Sequence, residues 1–322
     1  MKTLIWLGLL NVIFITNVFS VELKTPLVET DWLSNNVSKV IVLDIRKDVK
    51  SFTKKPIFKK NKKTGKLSLK KVAGHIPGAR LVNYKNLREN KKLDGRTVQK
   101  MMVDKPAFEK MMRDAGVNKN SAVVISYKGE NNGDLTMATR LYWQMKYFGF
   151  DNMAILNGGM AQWITDNREI SITPEKFKKG DWSATAERKN ILATSQDVQV
   201  AVNEKEQLVD TRTLSLYLGT WRKKSYVYDN GHIPGAKPFP NELLSSTMPA
   251  KFLTVNDSKK LFQQLGIKTD EKSITYCNSG HLASGSWFLL SELMGNNKVK
   301  LYDGSMHQWT LEKNKVTKLK ME

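Results

Sequence analysis

The sequence predicts two tandem copies of one α/β domain, each a parallel sheet flanked by helices. Three observations carry that expectation. The chain has 322 residues, long for one domain and sufficient for two that each bury a core. Four landmarks occur twice in the same order. Within each copy, short apolar β-branched runs alternate with longer amphipathic stretches, as strands and crossover helices do.

Taken along the chain, Lys2 precedes an apolar run from Leu4 to Phe19, and Val18-Phe19-Ser20 puts small residues where a signal peptidase cuts. Residues 1–20 therefore read as a secretory signal peptide. The run is short for a span of about twenty residues, so no stable membrane insertion is expected. The mature chain is expected to be exported, periplasmic or extracellular.

The first landmark, Val42-Leu43-Asp44-Ile45-Arg46, returns as Leu208-Val209-Asp210-Thr211-Arg212. Gly74-His75-Ile76-Pro77-Gly78-Ala79 returns identically as Gly231-His232-Ile233-Pro234-Gly235-Ala236. Val123 to Tyr127 returns as Ser273 to Cys277, and Leu156-Asn157-Gly158-Gly159-Met160-Ala161-Gln162-Trp163 matches Tyr302-Asp303-Gly304-Ser305-Met306-His307-Gln308-Trp309. The offsets fall from 166 through 157 and 150 to 146, so the first copy carries the extra residues. In that copy, Val40–Ile45, Ala122–Ser126 and Met153–Leu156 read as strands, and Phe108–Ala115 and Leu141–Phe148 as helices. Residues 166–193, polar and irregular with Pro174 and Gly180, read as a linker. The expected domains are 21–165 and 194–322.

Composition narrows the function. The net charge is +21, and +20 once Lys2 is removed with the signal. Such an excess usually means nucleic acid, yet export and the scatter of the lysines argue against that partner. Lys54 to Lys71 holds nine lysines and no acid; it reads as a solvated loop insertion, or as a lure for anionic substrates or envelope surfaces. The single cysteine, Cys277, cannot form an internal disulfide and must be kept free or used. Four scattered histidines and one cysteine make no metal set.

Ser273 to Tyr276 reads as a buried strand and Ala283 to Met294 as a helix, so Cys277-Asn278-Ser279-Gly280-His281-Leu282 is the loop between them. Open α/β sheets place their ligands at such strand ends. Backbone N–H groups and the helix N-terminus favour an anion there, and helix N-termini lower a cysteine pKa to about 3.5–7.5. Gly280 permits the close backbone approach of such a cradle. Asn278 and Ser279 can add hydrogen bonds. His281 either assists the chemistry when protonated or faces solvent at the helix start. His75 and His232 recur in both copies and read as packing residues, while His307 reads as a surface residue. Asp210 and Arg212, like Asp44 and Arg46, read as an ion pair tying sheet to loop.

This set resembles the rhodanese family of sulfurtransferases: the Asp-x-Arg strand end, the Gly-His-Ile-Pro-Gly-Ala segment, the strand leading into a cysteine loop, and the final Gly-x-x-x-x-Trp turn. The resemblance covers nearly all of the mature chain, including a first copy without the cysteine, where Ser126 to Lys128 stand near the equivalent place. It implies transfer of sulfane sulfur through a Cys277 persulfide, from a small anionic donor such as thiosulfate to cyanide, another thiophilic acceptor or a protein acceptor, with no cofactor. It also implies that Arg222, in the stretch where the family's substrate-binding arginines cluster, contacts the donor; a solvated turn is the alternative. The chain departs from the pattern at Leu216, where many members have an arginine. Ser279 partly matches the mercaptopyruvate-specific class, whose relay Ser279 and His75 could serve, but Lys54 to Ala73 lacks the acid that relay needs. A phosphatase would need an arginine where Ala283 stands. An exported sulfur carrier, loaded by a partner protein, is the remaining alternative.

Overall fold

The computed structural model describes residues 21–319, so the expected signal peptide lies outside the described residues. The first domain runs β1 (Leu27–Val28), α1 (Thr30–Asn36), β2 (Ile41–Arg46), β3 (Ile57–Lys60), β4 (Leu67–Lys71), β5 (Arg80–Asn83), β6 (Arg88–Leu93), β7 (Arg96–Met102), α2 (Lys105–Asp114), β8 (Val123–Tyr127), α3 (Asn132–Tyr147), β9 (Met153–Leu156) and α4 (Gly159–Thr165). The second runs β10 (Leu192–Ala193), α5 (Ser195–Asn203), β11 (Gln207–Asp210), α6 (Leu214–Leu218), β12 (Lys237–Pro238), α7 (Val255–Gln264), β13 (Ser273–Tyr276), α8 (Ala283–Phe288), β14 (Val299–Tyr302) and α9 (Ser305–Leu311).

Each domain is a five-stranded parallel sheet, ordered β1-β9-β8-β2-β5 and β10-β14-β13-β11-β12. The matching strand orders express the duplication. Asp44 pairs with Ser126 and Asp210 with Tyr276, so Tyr127 holds the place in the first domain that Cys277 holds in the second.

Side chains alternate faces along a strand, and that period divides the core. Val123, Ile125 and Tyr127 join a cluster shared by both domains, whereas Val124 joins one private to the first. Ile274 and Tyr276 likewise turn outward into the second domain's own cluster, and Cys277 turns into the shared one. The interface is thus a continuous core. Helix α3 is buried on nearly every side because its own sheet covers one flank and α8 the other. The two helices meet closely at Gly285, where a Cβ would stand 2.5 Å from Leu244 and 2.9 Å from Thr136.

Two expectations change. The lysine-rich insertion is no loop but the antiparallel β3–β4 hairpin, almost entirely exposed. The linker has little regular structure but is fastened down: Trp182 is buried in the shared core and Ser171 bridges to His75. Nonlocal packing holds it where its composition alone suggested a loose tether. No helix among the described residues is long and apolar enough to cross a membrane.

Candidate active site

Cys277 leaves the end of β13 and is 1% exposed at the floor of the interdomain interface. Its loop is tied down from beneath by Ser305, whose Oγ accepts from Cys277 N (3.1 Å) and Gly280 N (3.0 Å) and donates to Tyr302 O (2.8 Å). Ser305 holds φ 51°, a left-handed conformation uncommon outside glycine. The cradle therefore differs from the expected one. Two loop N–H groups bind Ser305, and Ser279 N reaches Cys277 Sγ at 3.5 Å.

Gly280 adopts φ 67°, and a Cβ there would stand 2.4 Å from Asp303 Oδ1 and 2.7 Å from Arg140 Nη1. Those two side chains form a buried ion pair at 2.7 Å that crosses the interface. Arg140 Nη1 also donates to Gly280 O (3.1 Å), and Met102 N donates to Asp303 Oδ2 (2.7 Å). The first domain thus grips the loop from α3 and from β7. The pseudo-symmetric contact in the other direction is Phe252 N to Asn157 Oδ1 (3.1 Å).

The remaining expected residues separate. Ser279 is buried with its side chain beside the Tyr226 hydroxyl. Asn278 gives its carbonyl to His307 N (3.1 Å), while its buried Oδ1 has no partner. Leu282 is half-buried at the start of α8 and packs against the shared core. Asp210 and Arg212 are fully buried and paired at 2.6 Å behind the cysteine, and Arg212 also donates to Gly231 O (2.7 Å). Asp44 and Arg46 repeat this in the first domain, with Gly74 O as the third partner. Burial works against the Arg212 charge, but Asp210 outweighs it and holds the guanidinium above its ordinary pKa. Arg222 is turned onto the Tyr228 carbonyl (2.6 Å).

Two histidine expectations are corrected, and a third residue keeps the packing role expected of it. His281 does not stay protonated: burial first, then Arg88 and Arg140, push its pKa down to about 3, and its half-buried ring keeps Nε2 3.0 Å from Thr136 Oγ1. His75 is a packing residue: its fully buried ring stacks on Phe52 with centroids 3.7 Å apart, and its Nδ1 lies 2.8 Å from Phe52 O. The relay with Ser279 is therefore not assembled. His307 is not on the surface but 0% exposed, with Nδ1 2.6 Å from Tyr226 O.

Arg140, Asp303, Ser305, Lys100, Tyr84 and Tyr226 were not singled out from sequence. A signal existed for two of them: the last landmark differs between copies at Asn157/Asp303 and Gly159/Ser305, in the copy that holds the cysteine. Arg140, the one charge in Leu135 to Met145, was a weaker signal.

The Rhodanese-like domain profile matches residues 29–166 and 194–312. A provisionally named thiosulfate sulfurtransferase of Haloferax volcanii is 31% identical over 241 residues, 73% of this chain and 80% of its own. The sulfur carrier protein TtuD of Thermus thermophilus is 28% identical over 295 residues, 88% of this chain and 93% of its own. Among solved structures, the 3-mercaptopyruvate sulfotransferase SseA from Escherichia coli superposes with a TM-score of 0.69 at 25% identity, over 87% of this chain and 98% of that one. With both halves matched and the same sheet built twice around one cysteine, the chain belongs to the rhodanese family of sulfurtransferases.

Proposed function

We propose that the chain moves sulfane sulfur from thiosulfate, or a related anionic donor, to a thiophilic acceptor through a persulfide on Cys277. The observation that carries this reading is the placement of the chain's single thiol at a parallel strand end, against a loop N–H and buried in the core shared by the two domains. The Cys277 thiolate attacks the outer sulfur of the donor. A new S–S bond forms, the donor's own S–S bond breaks, and sulfite leaves with the electron pair. The acceptor, for example cyanide, then attacks the outer persulfide sulfur and departs as thiocyanate, returning the thiolate. The Ser279 N–H, held in place by the loop, stabilises the anionic sulfur in both half-reactions without rearranging. The mercaptopyruvate reading is less favoured, since the relay it would use has no histidine at Ser279. Intact mass before and after thiosulfate tests the proposal: a gain of about 32 Da on the protein, absent in Cys277→Ser and reversed by cyanide, is expected. No gain from thiosulfate, mercaptopyruvate or a protein persulfide would overturn it.

A carrier role is the second reading, favoured by the 1% exposure of Cys277 and by likeness to a sulfur carrier. Multiple turnovers with thiosulfate and cyanide point to an enzyme; one loading followed by slow release points to a carrier.

A further inference from the structure

The second domain lacks the arginine that many relatives carry at the place of Leu216, and here that side chain is buried in α6. Cations approach the cysteine loop from the other domain instead. The β6–β7 hairpin carries Arg88 at its start and Lys100 near its end. Each lies on an aromatic ring that touches the cysteine loop. Lys100 Nζ sits 3.6 Å from the centroid of Tyr226, whose hydroxyl lies beside Ser279 and whose carbonyl is 2.6 Å from Nδ1 of His307. The Arg88 guanidinium sits 4.4 Å from the centroid of Tyr84, whose ring packs 4.7 Å from that of His281. The loop is thus flanked by two cation-on-aromatic stacks.

The hairpin is bent to achieve this. Its ladder pairs Glu89 with Met101 and Lys91 with Val98, so Gln99 and Lys100 together oppose Asn90. That is a bulge, a device that re-aims a side chain. Lys100 takes φ 65° there, and its N–H donates to Asn90 Oδ1 (3.3 Å). A lysine held in this conformation indicates a position under constraint. Neither Arg88 nor Lys100 forms an ion pair among the described residues, and the buried Arg88 Nε has no hydrogen-bond partner. Burial, then Arg88, Lys223 and Lys47, press the Lys100 ammonium pKa downward, and the Cys277 charge opposes them. Partly buried cations without counter-ions favour an arriving anion.

We propose that Lys100 and Arg88, supplied by the first domain, form the donor-anion subsite of Cys277, a two-cation clamp for a small dianion of the thiosulfate class. This rests on Cys277 being the sulfur acceptor. It also gives the first domain a direct part in the reaction. Arg88 and Lys100 hold the sulfonate end of the donor while the sulfur is transferred, and they neutralise the sulfite dianion that leaves with the electron pair.

The test uses the full chain with Lys100→Asn, chosen because asparagine tolerates the left-handed conformation, together with Arg88→Met, the double variant and Lys100→Arg. Sulfur loading of Cys277 is followed by mass at limiting donor, as the persulfide formed from inorganic thiosulfate and, separately, as the mixed disulfide or trisulfide formed when the thiolate displaces an alkyl persulfide or alkyl thiolate from an uncharged organic trisulfide. Each single variant is expected to slow thiosulfate loading at least tenfold, with Lys100→Arg restoring most of it, while trisulfide loading stays within about twofold. The slope of thiosulfate loading against ionic strength should flatten in both variants. Unchanged thiosulfate loading, or equal loss with both donors, would overturn the clamp. Calorimetric binding of thiosulfate to Cys277→Ser, with and without Lys100→Asn, separates the two claims. Binding lost only with Lys100 supports the clamp even if wild type never forms a persulfide, and binding indifferent to Lys100 refutes it even if wild type does.

Discussion

Replacing Asp303 with alanine should uncouple the two domains at the cysteine loop. The Arg140 and Asp303 side chains are 0% and 1% exposed, so neither charge is solvated when its partner is removed. Leaving one member of such a pair unpaired costs about 3–5 kcal/mol. Met102 N also loses its acceptor, adding about 1 kcal/mol or more if water cannot enter. Arg140 keeps its bond to Gly280 O, which argues for a total near the lower end, about 4 kcal/mol. Arg140→Met should cost a similar amount, because it strands Asp303. The double variant Arg140→Met/Asp303→Leu should cost at least about 2 kcal/mol less than the sum of the two, since no buried charge remains. Urea unfolding followed by tryptophan fluorescence, alongside thiosulfate loading of Cys277, measures both stability and loop integrity. Strictly additive costs, or a cost for Asp303→Ala below about 1 kcal/mol, would refute the view that this pair joins the domains as a buried unit.

Ser305→Ala leaves Cys277 N and Gly280 N without their acceptor, and should slow persulfide loading more than tenfold while costing about 1–3 kcal/mol. Ser305→Gly, which relieves the left-handed backbone, should show the same kinetic loss; normal loading would trace the effect to strain instead. Tyr127→Phe removes hydrogen bonds to Ala250 O (2.6 Å) and from Gly158 N (3.1 Å), so about 1–3 kcal/mol of stability should go with turnover at saturating donor unchanged. For His281 the folded pKa, about 3, lies below the ordinary 6.5, so the unfolded chain takes up the proton first as pH falls. Its contribution is complete above about pH 6.5 and is lost between there and about 3. Urea midpoints should therefore fall more steeply over this window in wild type than in His281→Asn, by about 2 kcal/mol at pH 4, reduced from the full shift because the ring is partly solvent-exposed; parallel curves would refute the buried neutral imidazole.

Much of the architecture was legible because it repeats. Two copies of Asp-x-Arg and of Gly-His-Ile-Pro-Gly-Ala identified a duplicated sheet, and both strand orders follow it. Cys277 was legible because it stands alone, between a β-branched run and an apolar helix. The β6–β7 hairpin was not read, because Arg88-Glu89-Asn90-Lys91-Lys92 has no apolar alternation; its pairing is held partly by the second domain, through Met102 and Asp303. His281 and His307 were misplaced for a related reason. Polar side chains on short loops look solvent-facing until a neighbouring domain covers them.

The sequence by itself determined the duplication, the parallel α/β class of both sheets, and the strand end that carries the thiol. Each follows from local period along single segments or from the recurrence of whole landmarks. The tertiary structure decided what surrounds the sulfur: Ser305 beneath it, the Arg140–Asp303 pair beside it, and Lys100 and Arg88 on their aromatic rings. Those neighbours come from segments as much as 200 residues apart, brought together by hydrophobic burial of two sheet faces. That force is non-directional and leaves no spacing signal in the chain.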